Sequence, residues 1–200
     1  PSFAPAKIGV AMTILDHVQT KREIESLLDQ AGLRPRKRFG QHFLIDGNLM
    51  RRLVESAEIG ADDVVLEVGP GTGGLTDLLV SRAKQLICVE IDRDLFALLS
   101  ERFRNQPNIE LICSDVLDGK HNINPVVASS IREWGTSGPL KLVANLPYDI
   151  ATPLLMNLLL DYPTVRSFCF TVQAEVGERI AAPAGSKVYG PLSIIAQNLC

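Results

Sequence analysis

Long apolar runs are missing from this chain: no stretch approaches the ~20 residues that span a bilayer. Residues 8–15 are too few, and Asp16 and His17 close that stretch without a small-residue cleavage pattern, so no signal peptide is read. Cysteine is sparse. Cys88, Cys113, Cys169 and Cys200 lie far apart with no zinc or redox spacing, which argues against a disulfide framework or metal centre and for small buried hydrophobes in a reducing cytoplasm. Aromatic residues make up only 6%, with Trp134 the single tryptophan, and the net charge of −3 does not mark the whole chain for a polyanion. There is no internal repeat. The chain opens on Pro1 rather than methionine and stops at Cys200 inside an apolar pattern, so an incomplete copy is expected.

What is present describes an ordinary folded protein. A hydrophobic content of 46% against 22% charged residues, over 200 residues, suffices for one α/β domain with a substantial core. Charge is uneven: between positions 34 and 52, six basic side chains face only Asp46, a local charge of +5. Phe39 and Phe43 are interleaved there, which favours a surface that tracks phosphate.

The Thr20-Lys21-Arg22-Glu23 capping box, followed by Ile24, Leu27, Leu28 and Ala31 and stopped by Gly32, predicts a short amphipathic helix. Residues 47–58 read as a second helix. From Val64 onward strands are expected at 64–68, 86–90, 109–113, 140–144 and 167–172. Helices are expected at 74–83, 93–104, 152–160 and 173–182, with Thr152-Pro153 as the cap and first turn of the third. Strands apolar on both faces suit a parallel sheet covered by helices. Residues 118–139 read as an enlarged polar connection with room for one short helix.

The first strand runs into Gly69-Pro70-Gly71-Thr72-Gly73-Gly74, where glycines let the main chain turn tightly and approach a ligand. Gly69, Gly71 and Gly74 with Glu90 also satisfy a dinucleotide fingerprint, so a nicotinamide dehydrogenase is an alternative at this point. A carboxylate such as Glu90 at the second strand end accepts ribose hydroxyls in either case. The following strand ends discriminate. Ser114-Asp115-Val116 puts a carboxylate where an adenine amine can donate to it, and Glu67 adds one near the place of a methionine ammonium. Strand four ends in Asn145-Leu146-Pro147-Tyr148. An asparagine oxygen and an adjacent main-chain carbonyl together accept both N–H bonds of an exocyclic amine, proline fixes the carbonyl's angle, and tyrosine offers a ring for stacking. This ordered set matches a class I, Rossmann-like methyltransferase with a mostly parallel sheet flanked by helices.

Several segments resemble the small-subunit ribosomal RNA adenine N6,N6-dimethyltransferases. They are Arg36-Lys37-Arg38-Phe39-Gly40-Gln41-His42-Phe43-Leu44, Leu66-Glu67-Val68-Gly69-Pro70-Gly71, and Asn145-Leu146-Pro147-Tyr148 with Thr152-Pro153-Leu154-Leu155. Val172-Gln173 with Glu175-Val176, and Gly185-Ser186-Lys187 with Tyr189-Gly190 and Leu192-Ser193, complete the set. The resemblance spans about residues 34–200. It implies a methyltransferase domain over 34–200, preceded by a small helical extension over 1–33, and S-adenosylmethionine as cofactor without a metal. It also implies methylation of two adjacent adenosines near the 3′ end of the small-subunit RNA, within an immature small subunit in the cytoplasm. No membrane or obligate protein partner is expected.

Carried over by position, cofactor contacts fall on His42, Leu44, Gly69, Gly71, Glu90, Asp115, Val116 and Asn145. The amine-recognition residues are Asn145, Leu146, Pro147 and Tyr148, and RNA contacts fall on Arg36, Lys37, Arg38, Lys187 and Tyr189. His42 and Asp149 stand where the family often has asparagine, and Ala174 replaces a common lysine. The family's final strand pair, a further aromatic for the target base and its C-terminal helical domain are absent from these 200 residues. Alternatives are a large-subunit RNA adenine methyltransferase, a DNA adenine methyltransferase, and a non-catalytic assembly or transcription factor that keeps the fold.

Overall fold

The computed structural model describes residues 18–33 and 46–199. Five strands form one parallel sheet: β1 (Val64–Val68), β2 (Gln85–Glu90), β3 (Ile109–Cys113), β4 (Leu140–Asn145) and β5 (Val165–Thr171), in the spatial order β3-β2-β1-β4-β5. The chain lays down β1, β2 and β3 in one direction, then returns to the other side of β1 for β4 and β5. That reversal opens a crevice at the carboxyl ends of β1 and β4, where open α/β sheets bind ligands.

Every residue of β1 is buried, because helices cover both faces of the sheet. Side chains alternate across a strand. Val64, Leu66 and Val68 pack with α5 (Pro125–Trp134) and α6 (Tyr148–Asp161), together with Val176 of α7 (Ala174–Ile180) and Leu192 of α8 (Pro191–Leu199). Val65 packs on the other face with α2 (Gly47–Ser56), α3 (Gly74–Val80) and α4 (Arg93–Phe103). Local chemistry sets the helix starts. Asp46 Oδ1 caps α2 by accepting from the Asn48 and Leu49 amides, and Asp92 caps α4 in the same way.

The capping-box helix forms as α1 (Lys21–Gln30), with both reciprocal bonds between Thr20 and Glu23 present. Its buried Ile24 and Leu28 rest on Leu95 of α4, with Leu33 and Leu98 beside them. Within 118–139 the short helix is α5, a full ten residues capped by Asn124. Glu110 of β3 fastens it, accepting from Ser130 Oγ at 2.7 Å and Trp134 Nε1 at 2.8 Å.

Four expectations are corrected. Helix α6 begins at Tyr148 rather than at 152, so Thr152 is not its cap and Pro153 lies inside it. Pro147, at φ −57° and ψ 138°, leads the chain into the helix, and buried Leu146 and Ala151 pin the first turn to the core. Pro153 removes only the bond to the Asp149 carbonyl, on an exposed residue that water can serve. Strand β5 starts two residues early because Val165 is buried and pairs with Leu140 before a register shift. Helix α8 was not expected. Of the described cysteines only Cys88 is buried; Cys113 ends the edge strand β3 and is exposed, and Cys169 is half-buried. Among the described residues, no helix is long and apolar enough to cross a membrane.

Candidate active site

A cavity of about 240 Å³ sits in the crevice, lined by the carboxyl ends of β1, β2, β3 and β4 and their following turns. It brings together Gly69, Gly71, Glu90, Asp115, Val116, Asn145, Leu146, Pro147 and Tyr148. Nine residues singled out from the sequence thus line one space. Arg36, Lys37, Arg38, His42 and Leu44 lie outside the described residues. Lys187 and Tyr189 lie in the turn between α7 and α8 and do not line the cavity; Lys187 is exposed, and the Tyr189 amide donates to the Ser186 carbonyl.

The glycine turn takes its shape from left-handed backbone. Gly69, Gly71 and Gly73 have φ of 72°, 63° and 83°, a region that costs an L-residue roughly 1–2 kcal/mol. At Gly69 there is a second reason for glycine: a Cβ there would stand 3.1 Å from Pro147 Cγ. The glycine turn and the Asn145–Tyr148 element therefore pack directly on each other.

A polar brace supports the turn from behind. The Arg102 guanidinium donates to both Asp77 carboxylate oxygens, at 3.0 and 2.8 Å, and to the Thr72 carbonyl. Buried Gln19 joins from the N-terminal segment: its Nε2 donates to the Thr72 carbonyl and to Asp77 Oδ2, and its Oε1 accepts from Thr72 Oγ1 at 2.8 Å. Gln19, Ile24 and Met50 also line the cavity. Sequence reasoning missed them, since Gln19 reads only as a residue ahead of a helix cap and its partners lie more than fifty positions away.

Glu90 ends β2 with its carboxylate buried. Oε2 accepts from the Gly71 amide at 3.1 Å and Oε1 from the Asp92 amide at 2.9 Å. Burial nonetheless raises its pKa above the ordinary value, outweighing those bonds. Asp115 is exposed; its Oδ1 accepts from the Leu117 amide at 2.9 Å, which fixes the carboxylate on its turn. Glu67 lies deeper, on the α3 side of β1, and touches the cavity. Its Oε2 accepts from Thr76 Oγ1 at 2.8 Å and from Cys88 Sγ at 3.4 Å. Full burial still pushes the carboxyl up to about 8, with the charges of Asp77 and Glu90 adding to the rise. The same burial, beside Glu67, raises the Cys88 thiol, which stays protonated and donates.

At the end of β4, half-buried Asn145 pairs in register with Thr171, the last residue of β5. The Thr171 carbonyl accepts from the Leu146 amide at 3.1 Å, and Thr171 Oγ1 donates to Asn145 Oδ1 at 2.5 Å. Leu146 is buried, so its side chain anchors the element while its neighbours face the cavity. Tyr148 begins α6 at the cavity wall. The set can hold a nucleoside-like group by its hydroxyls and amine, and present two acceptors to a second amine nearby. Among the described residues, no group of three His, Cys, Asp or Glu side chains is arranged to hold a metal ion.

Known proteins resemble this chain in sequence and in fold. A Moorella thermoacetica protein named ribosomal RNA small subunit methyltransferase A is 42% identical over 184 residues, covering 92% of this chain and 63% of the relative. Its namesake in Bacillus mycoides is 39% identical over 180 residues, covering 90% and 60%. The chain thus spans about six-tenths of the length of these relatives. Among solved structures, a dimethyladenosine transferase from Plasmodium falciparum matches with a TM-score of 0.64 at 27% identity, over 78% of this chain and 52% of that one. The 23S rRNA methyltransferase ErmE matches with a TM-score of 0.56 at 32% identity, over 69% and 50%. The family model described as ribosomal RNA adenine dimethylase matches residues 32–200, and the chain belongs to that family.

Proposed function

We propose that this chain carries the methyl-transfer site of an enzyme that dimethylates N6 of two adjacent adenosines near the 3′ end of small-subunit ribosomal RNA. The observation that carries this reading is the packing of Gly69 on Pro147, which joins a nucleoside-holding turn to an amine-recognition element in one cavity.

The residues present fit S-adenosylmethionine. Gly69 and Gly71 leave room for close approach, Glu90 suits the ribose hydroxyls, Asp115 suits the adenine amine, and Glu67 lies on the side proposed for the methionine ammonium. Val116 contributes an apolar wall, and His42 and Leu44 are proposed as further contacts. When bound, this cofactor supplies an electrophilic methyl group.

The chain's own residues then orient the acceptor. Asn145 Oδ1 and the Leu146 carbonyl each accept one N–H of the target amine, turning its lone pair toward the methyl donor. Tyr148 stacks on the base, and Pro147 fixes the Leu146 carbonyl's direction. Positioning and exclusion of water supply the acceleration. No strong base is required, because the amine becomes acidic only after methylation and then sheds its proton.

Arg36, Lys37, Arg38, Lys187 and Tyr189 are proposed to contact RNA, mainly its phosphates and shape, inside an immature small subunit in the cytoplasm. The names of the 39–42% identical relatives support the small-subunit substrate over the large-subunit one. Labelled methyl transfer to immature small subunits, compared with large-subunit RNA, tests the reading. Incorporation as N6,N6-dimethyladenosine in the small-subunit RNA is expected. Transfer only to large-subunit RNA would move the assignment, and tight S-adenosylhomocysteine binding without any transfer would favour a non-catalytic factor.

A further inference from the structure

Thr171 closes an otherwise apolar strand end, does not line the cavity, and makes two contacts with the amine-recognition element. Its carbonyl holds the Leu146 amide at 3.1 Å, and its hydroxyl donates to Asn145 Oδ1 at 2.5 Å. The parallel register places Thr171 beside Asn145, so the clamp is built into the sheet rather than into a loop.

We propose that Thr171 is a positioning residue for methyl transfer, holding the Asn145 carboxamide with its oxygen committed as the acceptor for the target amine. This inference rests on the function proposed above. A primary amide offers an acceptor at one end and two donors at the other. Turned by 180°, it would point N–H bonds at an amine that itself donates, and the lone pair of N6 would lose its orientation. A carboxamide oxygen carries two lone pairs, so the Thr171 hydrogen bond and the incoming amine can be accepted together. The β-branched side chain, stiff at χ1 in a strand, keeps the hydroxyl in place.

The test is made in the full-length protein with Thr171→Val and Thr171→Ser. Valine keeps the branched shape and deletes the hydroxyl; serine keeps the hydroxyl. Loss of one hydrogen bond of ordinary strength predicts a fall in kcat of about tenfold for Thr171→Val. The KM for RNA and the affinity for S-adenosylhomocysteine should stay within about twofold, and Thr171→Ser should recover most of the loss. In single-turnover reactions, Thr171→Val added to Asn145→Ala should cause no further loss, since the hydroxyl acts only through Asn145. The inference is overturned by wild-type kcat in Thr171→Val, by fully additive losses in the double variant, or by a matching fall in cofactor affinity or folding. A wild-type protein that methylates no ribosomal RNA would instead defeat the proposed function.

Discussion

Glu67 offers a quantitative test of the burial that shapes this site. Its side chain is only 1% exposed, and two donors, Thr76 Oγ1 and Cys88 Sγ, converge on Oε2. Those bonds favour the ionised form, yet desolvation wins and the pKa rises from 4.5 to about 8. Between those values the unfolded chain has released this proton while the native chain keeps it. The Glu67 contribution to stability is therefore fully present below about 4.5 and is lost as pH rises toward about 8. Each pH unit in that window lowers the unfolding free energy by about 1.4 kcal/mol.

Glu67→Gln removes the titration while keeping an oxygen for Thr76 and Cys88. Urea unfolding of both proteins at several pH values between 4.5 and 8 gives the difference directly, with other titrating groups cancelling. The variant's advantage should grow with pH by about 1.4 kcal/mol per unit. A difference that stays flat across the window would refute the raised pKa and the dry environment it implies. Under the proposed function, an ammonium group bound near Glu67 favours its ionised form. Binding S-adenosylhomocysteine at pH 7 should then release a proton, seen calorimetrically as a buffer-dependent heat that Glu67→Gln abolishes.

Two further substitutions probe the glycine turn. Gly69→Ala places a side chain at φ 72° and 3.1 Å from Pro147 Cγ, so unfolding free energy should fall by about 1–2 kcal/mol, and an unchanged urea midpoint would contradict the strain. Arg102→Ala removes the Nη2 donor shared by both Asp77 oxygens and the Nη1 donor to the Thr72 carbonyl, which should cost about 1.5–3 kcal/mol and weaken S-adenosylhomocysteine binding, while full affinity would show that the brace does not shape the turn.

The sheet was legible because parallel strands covered on both faces must be apolar on both faces, and all five were located to within two residues at their starts. That the acidic strand ends and the Asn145–Tyr148 element line one cavity was legible because each falls at the end of a strand that the apolar pattern already located. Helix α6 was misplaced because Thr152-Pro153 is a good local start, whereas burial of Leu146 and Ala151 moved the true start to Tyr148. The braces were invisible for a different reason. Gln19 with Thr72, Asp77 with Arg102, and Asn145 with Thr171 are separated by 53, 25 and 26 residues, so only the fold reveals which polar side chains meet. Burial likewise set the protonation of Glu67, which sequence places near a methionine ammonium without showing that desolvation raises its pKa.

The most direct measurement of the central claim is methyl transfer to immature small subunits by Asn145→Ala, alongside its affinity for S-adenosylhomocysteine. If Asn145 orients the target amine, the cofactor product should bind with substantial affinity while transfer falls by several orders of magnitude. Transfer at the wild-type rate would contradict the account.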